Sequence, residues 1–331
     1  MQPIRTVRKL FADPLARLQR AYRPPKPHGL PNPTHVLMIR PQFFNVNRDA
    51  CATNAFIHAS TPPPSEIQER AMQEHNFLIE ALQKHSIPVH VFDNTQPDAI
   101  DALFCNNWVS VHHPPETEDH RLVLYPMMLE NRRIEVRHDI CDYITQMYAR
   151  SGADMRTIDL RTPLYYNFLE GTGSLVIDRE RRVFYAALSE RTHLMMLRKL
   201  AEHFNHRIVF FHSEHARKPV YHTNVLMAIG HSWIVICKDA VAPGNQPNLM
   251  KDLESSGKTI VEISVDQMRA YCANIIELTS ASGQRYTVMS ENARKHFTEA
   301  QQQVLGNILS VPFDTIEKYG GGGVRCCIAE I

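Results

Sequence analysis

The feature that most constrains the fold is a pattern that recurs along the chain. "SLVID", a turn at "RERR", "VFYAAL", a helical "ERTHLMMLRKLAEHFN" and "RIVFF" read as strand, strand, helix, strand. The same order returns in "VLMAIG", "SWIVICKDAV", "NLMKDLESSG" and "TIVEI", and again in "IIELTS", "RYTVMS", "ENARKHFTEAQQQVLGN" and "ILSVPF". Upstream, "WVSVHH", "RLVLYPMM", "DICDYITQMYARSG" and "RTIDL" fit the template. "HVLMIRP", "SEIQERAMQEHNFLIEALQKHS" and "VHVFD" form a degenerate first copy. The strands are short β-branched and aromatic runs between turn residues. The first helix is read from Met72, Phe77, Leu78, Ala81 and Leu82, roughly three to four residues apart. Five ββαβ units of about 50 residues, with no spare helical block, predict a closed circular array: an α/β fold of five pseudo-symmetric blades. The competing expectation is an ordinary α/β sandwich whose units only look alike.

At 331 residues, with 44% apolar residues and a formal net charge of +1, the chain fits a globular protein with a substantial core. That balance gives no reason to expect nucleic acid as the partner. No apolar run reaches the roughly 18–20 residues needed to span a bilayer. The seven cysteines are scattered without a C-x-x-C pair, which predicts free thiols and a reducing, cytoplasmic setting. Residues 1–33 stand apart. Seven basic residues face the single acid Asp13, and the stretch closes with "RPPKPHGLPNP". This is an extension outside the fold, with organelle targeting as one reading, and residues 34–331 are expected to form one domain.

In a ring of repeats, equivalent positions converge near the axis. The segments before the first strand of each copy are "FCNNW", "FLEGTGS", "YHTN" and "CAN", and after the last copy comes "GGGGVRCC". Asn107, Glu170, His222, Asn224, Asn274 and Cys326 therefore recur at one point of the unit. A thiolate that attacks, a histidine that moves protons and a carboxylate that orients are the ingredients of covalent catalysis. Four glycines ahead of a cysteine let backbone approach a substrate. Each residue also has an ordinary structural reading, a buried apolar thiol or a loop-capping amide among them. A metal site built from His212, His215 and His222, or from His112, His113 and His120, lacks H-E-x-x-H spacing and a cysteine pair. No metal or other cofactor is expected.

The ending "GGGGVRC", preceded in order by "MIRP", "NNW", "MMLENRRIEVR", "EGTGS", "LSERT" and "YHTN", resembles the arginine deiminase and amidinotransferase superfamily from about residue 35 to the end. The likeness is strongest to its bacterial branch of the citrulline-utilisation hydrolase type. The resemblance implies the pentein fold, a five-bladed α/β propeller. It implies Cys326 as nucleophile, His222 as proton-transfer group, Glu170 as the carboxylate of the "EGG"-type motif, and Cys327 pointing to the other side of the strand. Arg191 of "LSERT", with Arg132 or Arg133 of "ENRRIE", falls where the family holds the carboxylate of an amino-acid substrate.

Two positions depart from arginine deiminases, which carry aspartates where this chain has Asn107 and Asn224. Those carboxylates grip a cationic guanidinium. A neutral amide, offering both donor and acceptor, suits a neutral ureido group. The expected substrate is thus citrulline ahead of arginine, with arginine deimination, amidino transfer and a non-catalytic binding protein as alternatives. Pairing of the thiolate with protonated His222 is expected to lower the thiol pKa. A homo-oligomer is possible on this reading.

Overall fold

The computed structural model describes residues 34–58, 62–114, 119–161 and 167–331. The basic extension over 1–33 lies outside these residues.

Among the described residues, fifteen strands form five separate three-stranded sheets, none of which closes on itself. Strands β3 (Val109–His112), β4 (His120–Leu124) and β5 (Met155–Asp159) make one sheet; β6 (Val176–Asp178), β7 (Val183–Leu188) and β8 (Arg207–His212) the next. They are followed by β9 (Met227–Ile229), β10 (Trp233–Ile236) and β11 (Thr259–Glu262), then β12 (Ile276–Thr279), β13 (Arg285–Ser290) and β14 (Ile308–Val311). In each, the first pair is antiparallel and the second parallel, for example Val109 opposite Leu124 and His120 opposite Met155. A tight turn suffices for the antiparallel pair, whereas the parallel pair requires a crossover. The crossovers carry helices His138–Arg150, Leu194–Glu202 and Gln246–Glu254.

The fifth sheet explains the degenerate first copy. Strands β1 (Val36–Arg40) and β2 (Val89–Asp93) pair in parallel around the helix Pro64–Lys84. Their missing antiparallel partner is β15 (Ala329–Glu330), at the far end of the chain, with Val36 opposite Glu330 and Leu37 opposite Ala329. The segment ahead of β15 is "GGGGVRCC", so Cys326 occupies in this sheet the place that Asn107, Glu170, Asn224 and Asn274 occupy in the others. First strands also meet between sheets: β15 lies against β3, β6 against β9, and β9 against β12.

Two local expectations are corrected. The helix Pro64–Lys84 buries Ile67, Ala71, Leu78 and Leu82, while Phe77 is 48% exposed and Met72 only half-buried. The apolar face is set by the 67–71–78–82 spacing, and Phe77 falls outside it. The single helix expected over 291–307 is two, Glu291–His296 and Glu299–Leu305, because Thr298 starts the second with a capping box to Gln301. The middle strands carry most of the burial, whereas β5 and β11 at the sheet edges are largely exposed; every residue of β10 is buried, and Trp233 packs with Ile234, Val235 and Ile236 in the largest core cluster. Among the described residues no helix is long and apolar enough to cross a membrane, and all seven cysteines are free.

Candidate active site

Short turns ahead of the first strands deliver the polar residues. Asn107 ends the turn Cys105–Asn107, Glu170 precedes Gly171–Ser174, Asn224 sits in Thr223–Val225 with His222 just before it, and Cys326 lies in Val324–Cys327. The cysteine turn begins after the helix Asp314–Gly320, which Gly321 terminates at φ +65°, a conformation that favours glycine. A β-carbon at 321 would also stand 2.5 Å from Asn54 Nδ2. The glycine run is thus helix stop and close-approach surface together.

Asn107, His222 and Cys326 line one buried chamber with Asp101, Arg132 and Arg191. Glu170 stands immediately behind His222, its Oε2 2.8 Å from Nε2. Its other oxygen accepts the Met128 N–H at 3.0 Å, and Arg191 approaches at 3.4 Å and Arg132 at 4.0 Å. Burial alone would push Glu170 up, but Arg191, His222 and Arg132 outweigh it and hold the carboxyl well below the usual range. Because those arginines already neutralise Glu170, burial decides the fate of His222, whose pKa falls to about 4 despite the carboxylate beside it. The imidazole is neutral at pH 7, with Nε2–H donated to Glu170 and Nδ1 left as the basic nitrogen.

Cys326 is 3% exposed. Burial pushes its thiol up, and side-chain hydrogen bonds from Asn274 and Asn224 pull it back only in part. Asn274 Nδ2 lies 3.2 Å and Asn224 Nδ2 3.5 Å from Sγ. The expected resting pair of thiolate and imidazolium is therefore corrected: the sulfur is held by amides, and His222 is bound to Glu170. Cys327, fully buried, belongs to the apolar cluster beneath β1.

The two arginines of "ENRRIE" separate. Arg132 is 2% exposed and grips Glu135 through Nε and NH2 at 2.7 and 2.8 Å, while NH1 donates to Asn107 Oδ1 at 2.9 Å. Arg133 does not reach the chamber; it donates to the Met127 and Met128 carbonyls and lies over the Phe168 ring. Of the two, Arg132 alone lines this chamber. Arg191 stacks on Tyr221, with 5.2 Å from its guanidinium carbon to the ring centroid, and donates from NH2 to Thr53 Oγ1 at 2.7 Å. Its buried Nε has no hydrogen-bond partner, nor has Asp101 Oδ1.

Sequence reasoning missed Asp101, Glu135 and Tyr221, and the strap over residues 42–58. Asp101 and the strap lie between β1 and β3, outside the repeating pattern, and nothing in their spacing marks them. The strap covers the chamber: Asn54 Nδ2 donates to the Gly321 carbonyl at 3.0 Å, Lys218 to that of Ala52 at 2.9 Å, and the His58 N–H to that of Lys318 at 2.9 Å. The chamber, about 20 Å³, has room for about one water molecule. Beyond Asn224 and Arg325 lies a larger cavity of about 250 Å³, but its charges pair among themselves, as in Lys258–Glu180 at 2.9 Å and Arg325–Glu330 at 3.0 Å. The candidate residues Asn107, His222 and Cys326 line the smaller space. The other histidine stretches lie apart from it: His112 bonds Ser110 and Tyr125, and His113 lies against His120.

Residues 40–331 match the family model described as N,N dimethylarginine dimethylhydrolase, eukaryotic. No curated protein matches the chain. Among solved structures, it is similar to the product-bound N-terminal domain of ArgZ, an arginine dihydrolase from the ornithine-ammonia cycle in cyanobacteria. That match has a TM-score of 0.66 and 16% identity over 90% of this chain and 97% of that one. It is similar to AgrE in its complex with ornithine and NAD+, with a TM-score of 0.67 and 18% identity over 90% of this chain and 39% of AgrE. A variant of dimethylarginine dimethylaminohydrolase carrying an S-methyl-L-thiocitrulline adduct matches with a TM-score of 0.62 and 16% identity, over 90% and 100% of the two chains. At these identities the structural likeness shows a shared mixed α/β fold. With the family match over nearly the whole chain, the protein belongs to the N,N dimethylarginine dimethylhydrolase family, within the superfamily of guanidino-modifying C–N hydrolases and amidinotransferases.

Proposed function

We propose that this chain is a cysteine-dependent hydrolase of the ureido or guanidino group of an arginine-like amino acid, with citrulline the favoured substrate. The five sheets act as the blades of a propeller, and the turns before their first strands meet at the axis. One observation carries the reading. Two unpaired buried atoms of opposite character, Arg191 Nε and Asp101 Oδ1, belong to residues lining the same chamber as Cys326 and His222. An unpaired buried polar group is costly unless a ligand completes it. A zwitterionic amino acid supplies a carboxylate for Arg191 and an N–H donor for Asp101, and its far end then lies toward the sulfur.

Cys326 Sγ attacks the planar carbon as its proton passes to His222 Nδ1, the nitrogen that Glu170 leaves basic. With citrulline, the bond from the ureido carbon to the side-chain nitrogen breaks. His222 returns its proton to that nitrogen, ornithine departs, and a carbamoyl thioester remains. Water, activated by the again neutral His222, attacks that carbon and releases carbamate, which decomposes to ammonia and carbon dioxide. Neutral Asn107 and Asn224 favour the uncharged ureido group, since no carboxylate stands at either position to hold a guanidinium. Strap opening precedes binding, because about 20 Å³ admits no amino acid.

Membership in the dimethylarginine hydrolase family favours a second substrate, an N-methylated arginine losing its methylated amine to leave citrulline. The test is product identification by mass spectrometry with citrulline, arginine and N,N-dimethylarginine, with Cys326→Ala as control. Ornithine from citrulline, lost in the variant, is the expected result. Activity tenfold or more higher on arginine refutes the citrulline preference, and dimethylamine release as the dominant reaction selects the second substrate.

A further inference from the structure

The cysteine turn is fastened at several points to one residue that the repeat contributes from its last copy. The Asn274 carbonyl accepts the Arg325 N–H at 3.3 Å, and its side-chain Oδ1 accepts the Cys326 N–H at 3.3 Å. Its Nδ2 donates to Cys326 Sγ at 3.2 Å and to the Asn224 carbonyl at 3.1 Å. The residue is 1% exposed. Its own turn is tight, with Tyr271 at φ +62° and the Asn274 N–H returning to the Tyr271 carbonyl at 2.8 Å. The approach to the cysteine loop requires the glycine run: a β-carbon at 323 would stand 2.9 Å from Asn274 Oδ1.

Taking Cys326 as the nucleophile, as proposed above, we infer that Asn274 is a further catalytic residue, whose carboxamide aims the sulfur and donates the shorter of the two amide hydrogen bonds that stabilise it as a thiolate. The geometry supports this over a role in folding alone. Oδ1 fixes the backbone of the cysteine, and this orientation leaves the N–H end for the sulfur. Hydrogen bonds to a charged acceptor are stronger than those to a neutral one, so the contact gains strength as the thiol loses its proton. Neutral His222 offers Sγ no donor for this task, because its one N–H, on Nε2, is donated to Glu170. Asn224 supplies the second, longer contact. Among charged groups, Arg325 beside the sulfur acts in the same direction, and the neutral phenols of Tyr221 and Tyr271 and the thiol of Cys327 surround it.

The test is titration of thiolate absorbance at 240 nm in the substrate-free full chain, with the Cys326→Ala signal subtracted, for the unaltered protein, Asn274→Ala and Asn274→Asp. Asn274→Asp keeps an oxygen for the Cys326 N–H while replacing the donor to sulfur. In both variants the Cys326 step moves to higher pH, and kcat falls about tenfold or more with a smaller change in KM. A folded variant whose step stays in place overturns the inference, since a purely structural asparagine would alter thermal stability alone. If neither variant folds, the side-chain 15N resonance of Asn274 in the unaltered chain decides. It follows the Cys326 titration and is insensitive to pH in Cys326→Ala; a signal that does not follow it overturns the inference equally. Both titrations are read without substrate, so absence of turnover on every ureido and guanidino compound would refute the proposed function and leave this result standing on its own.

Discussion

The neutral state of His222 has a measurable consequence for stability. Its pKa falls from 6.5 to about 4 on folding because it is wholly buried beside a carboxylate that Arg191 and Arg132 already neutralise. The unfolded chain therefore takes up this proton first as the pH falls. Stability is lost as pH drops from the unfolded value toward the folded one, and no more is lost below it. Each pH unit between 6.5 and about 4 costs about 1.4 kcal/mol, or about 3 kcal/mol in all. Glu170 enters only at the acid end of this window, near the ordinary carboxylate value of 4.5. Its pKa is depressed, so its stabilising contribution is intact above the ordinary carboxylate range and is lost only below it.

The perturbation is His222→Gln, which keeps a polar side chain opposite Glu170 and removes the titration. Urea unfolding of both proteins at pH 7, 6, 5 and 4 gives the free-energy difference between them. Other buried histidines, such as His75 with its pKa near 3, titrate alike in both and cancel. The difference should fall by about 3 kcal/mol across the window, against the unaltered protein. A difference flat to about 0.5 kcal/mol refutes the reasoning, because it would give His222 the same proton affinity folded and unfolded. A difference that grows on acidification would refute it in the opposite sense and restore the imidazolium expected from the sequence.

Gly173→Ala places a β-carbon 2.5 Å from Asn107 Nδ2 and 2.7 Å from His222 Nδ1. Steady-state kinetics should show kcat reduced about tenfold to a hundredfold, with about 1–3 kcal/mol of stability lost in calorimetry. Unchanged kcat would remove Nδ1 from the mechanism. Thr53→Val deletes the acceptor that ties the strap to Arg191 at 2.7 Å. A hydrogen bond to a charged group contributes about 1.5–3 kcal/mol, so the open state should gain population about tenfold or more. Alkylation of Cys326 by iodoacetamide, measured in a Cys51→Ser background because Cys51 is exposed, should accelerate to match. An unaltered rate would mean that the strap does not gate the chamber.

The repeat made most of the fold legible, because strand, strand, helix, strand writes its own signal in short β-branched runs and turn residues. β15 escaped that signal. Two residues pairing with Val36 and Leu37 carry no periodicity, and only the incomplete first copy implied that a strand was owed to it. The break at Thr298 escaped for a different reason: a capping residue inside an amphipathic run leaves the apolar spacing intact while dividing the helix. Within the site, phase in the repeat selected Asn107, Glu170, His222, Asn224, Asn274 and Cys326, and the chain brings them to one place. It could not select between Arg132 and Arg133, since neighbours on a short helix differ by about 100° and only packing decides which one faces inward.

Charge state was the least legible property, and it alters the chemistry most. Cysteine, histidine and glutamate in one site suggest an ion pair, but their pKa values depend on what stands behind them. Arg191 and Arg132 neutralise Glu170; Glu170 then lacks the field to charge His222, and uncharged His222 leaves the sulfur to Asn224 and Asn274. Each step follows from burial acting on a group whose partner is already spent. Under the proposed function the thiol loses its proton as the bond to substrate forms, and closure of the strap over a substrate would strengthen every hydrogen bond that assists it. On this account the strap is tied to catalysis through Arg191, which donates to Thr53 of the strap at 2.7 Å and pairs with Glu170 at 3.4 Å. A carboxylate bound at Arg191 Nε would draw on the same guanidinium that holds Glu170 low, so substrate occupancy and the proton affinity of His222 are linked through one side chain.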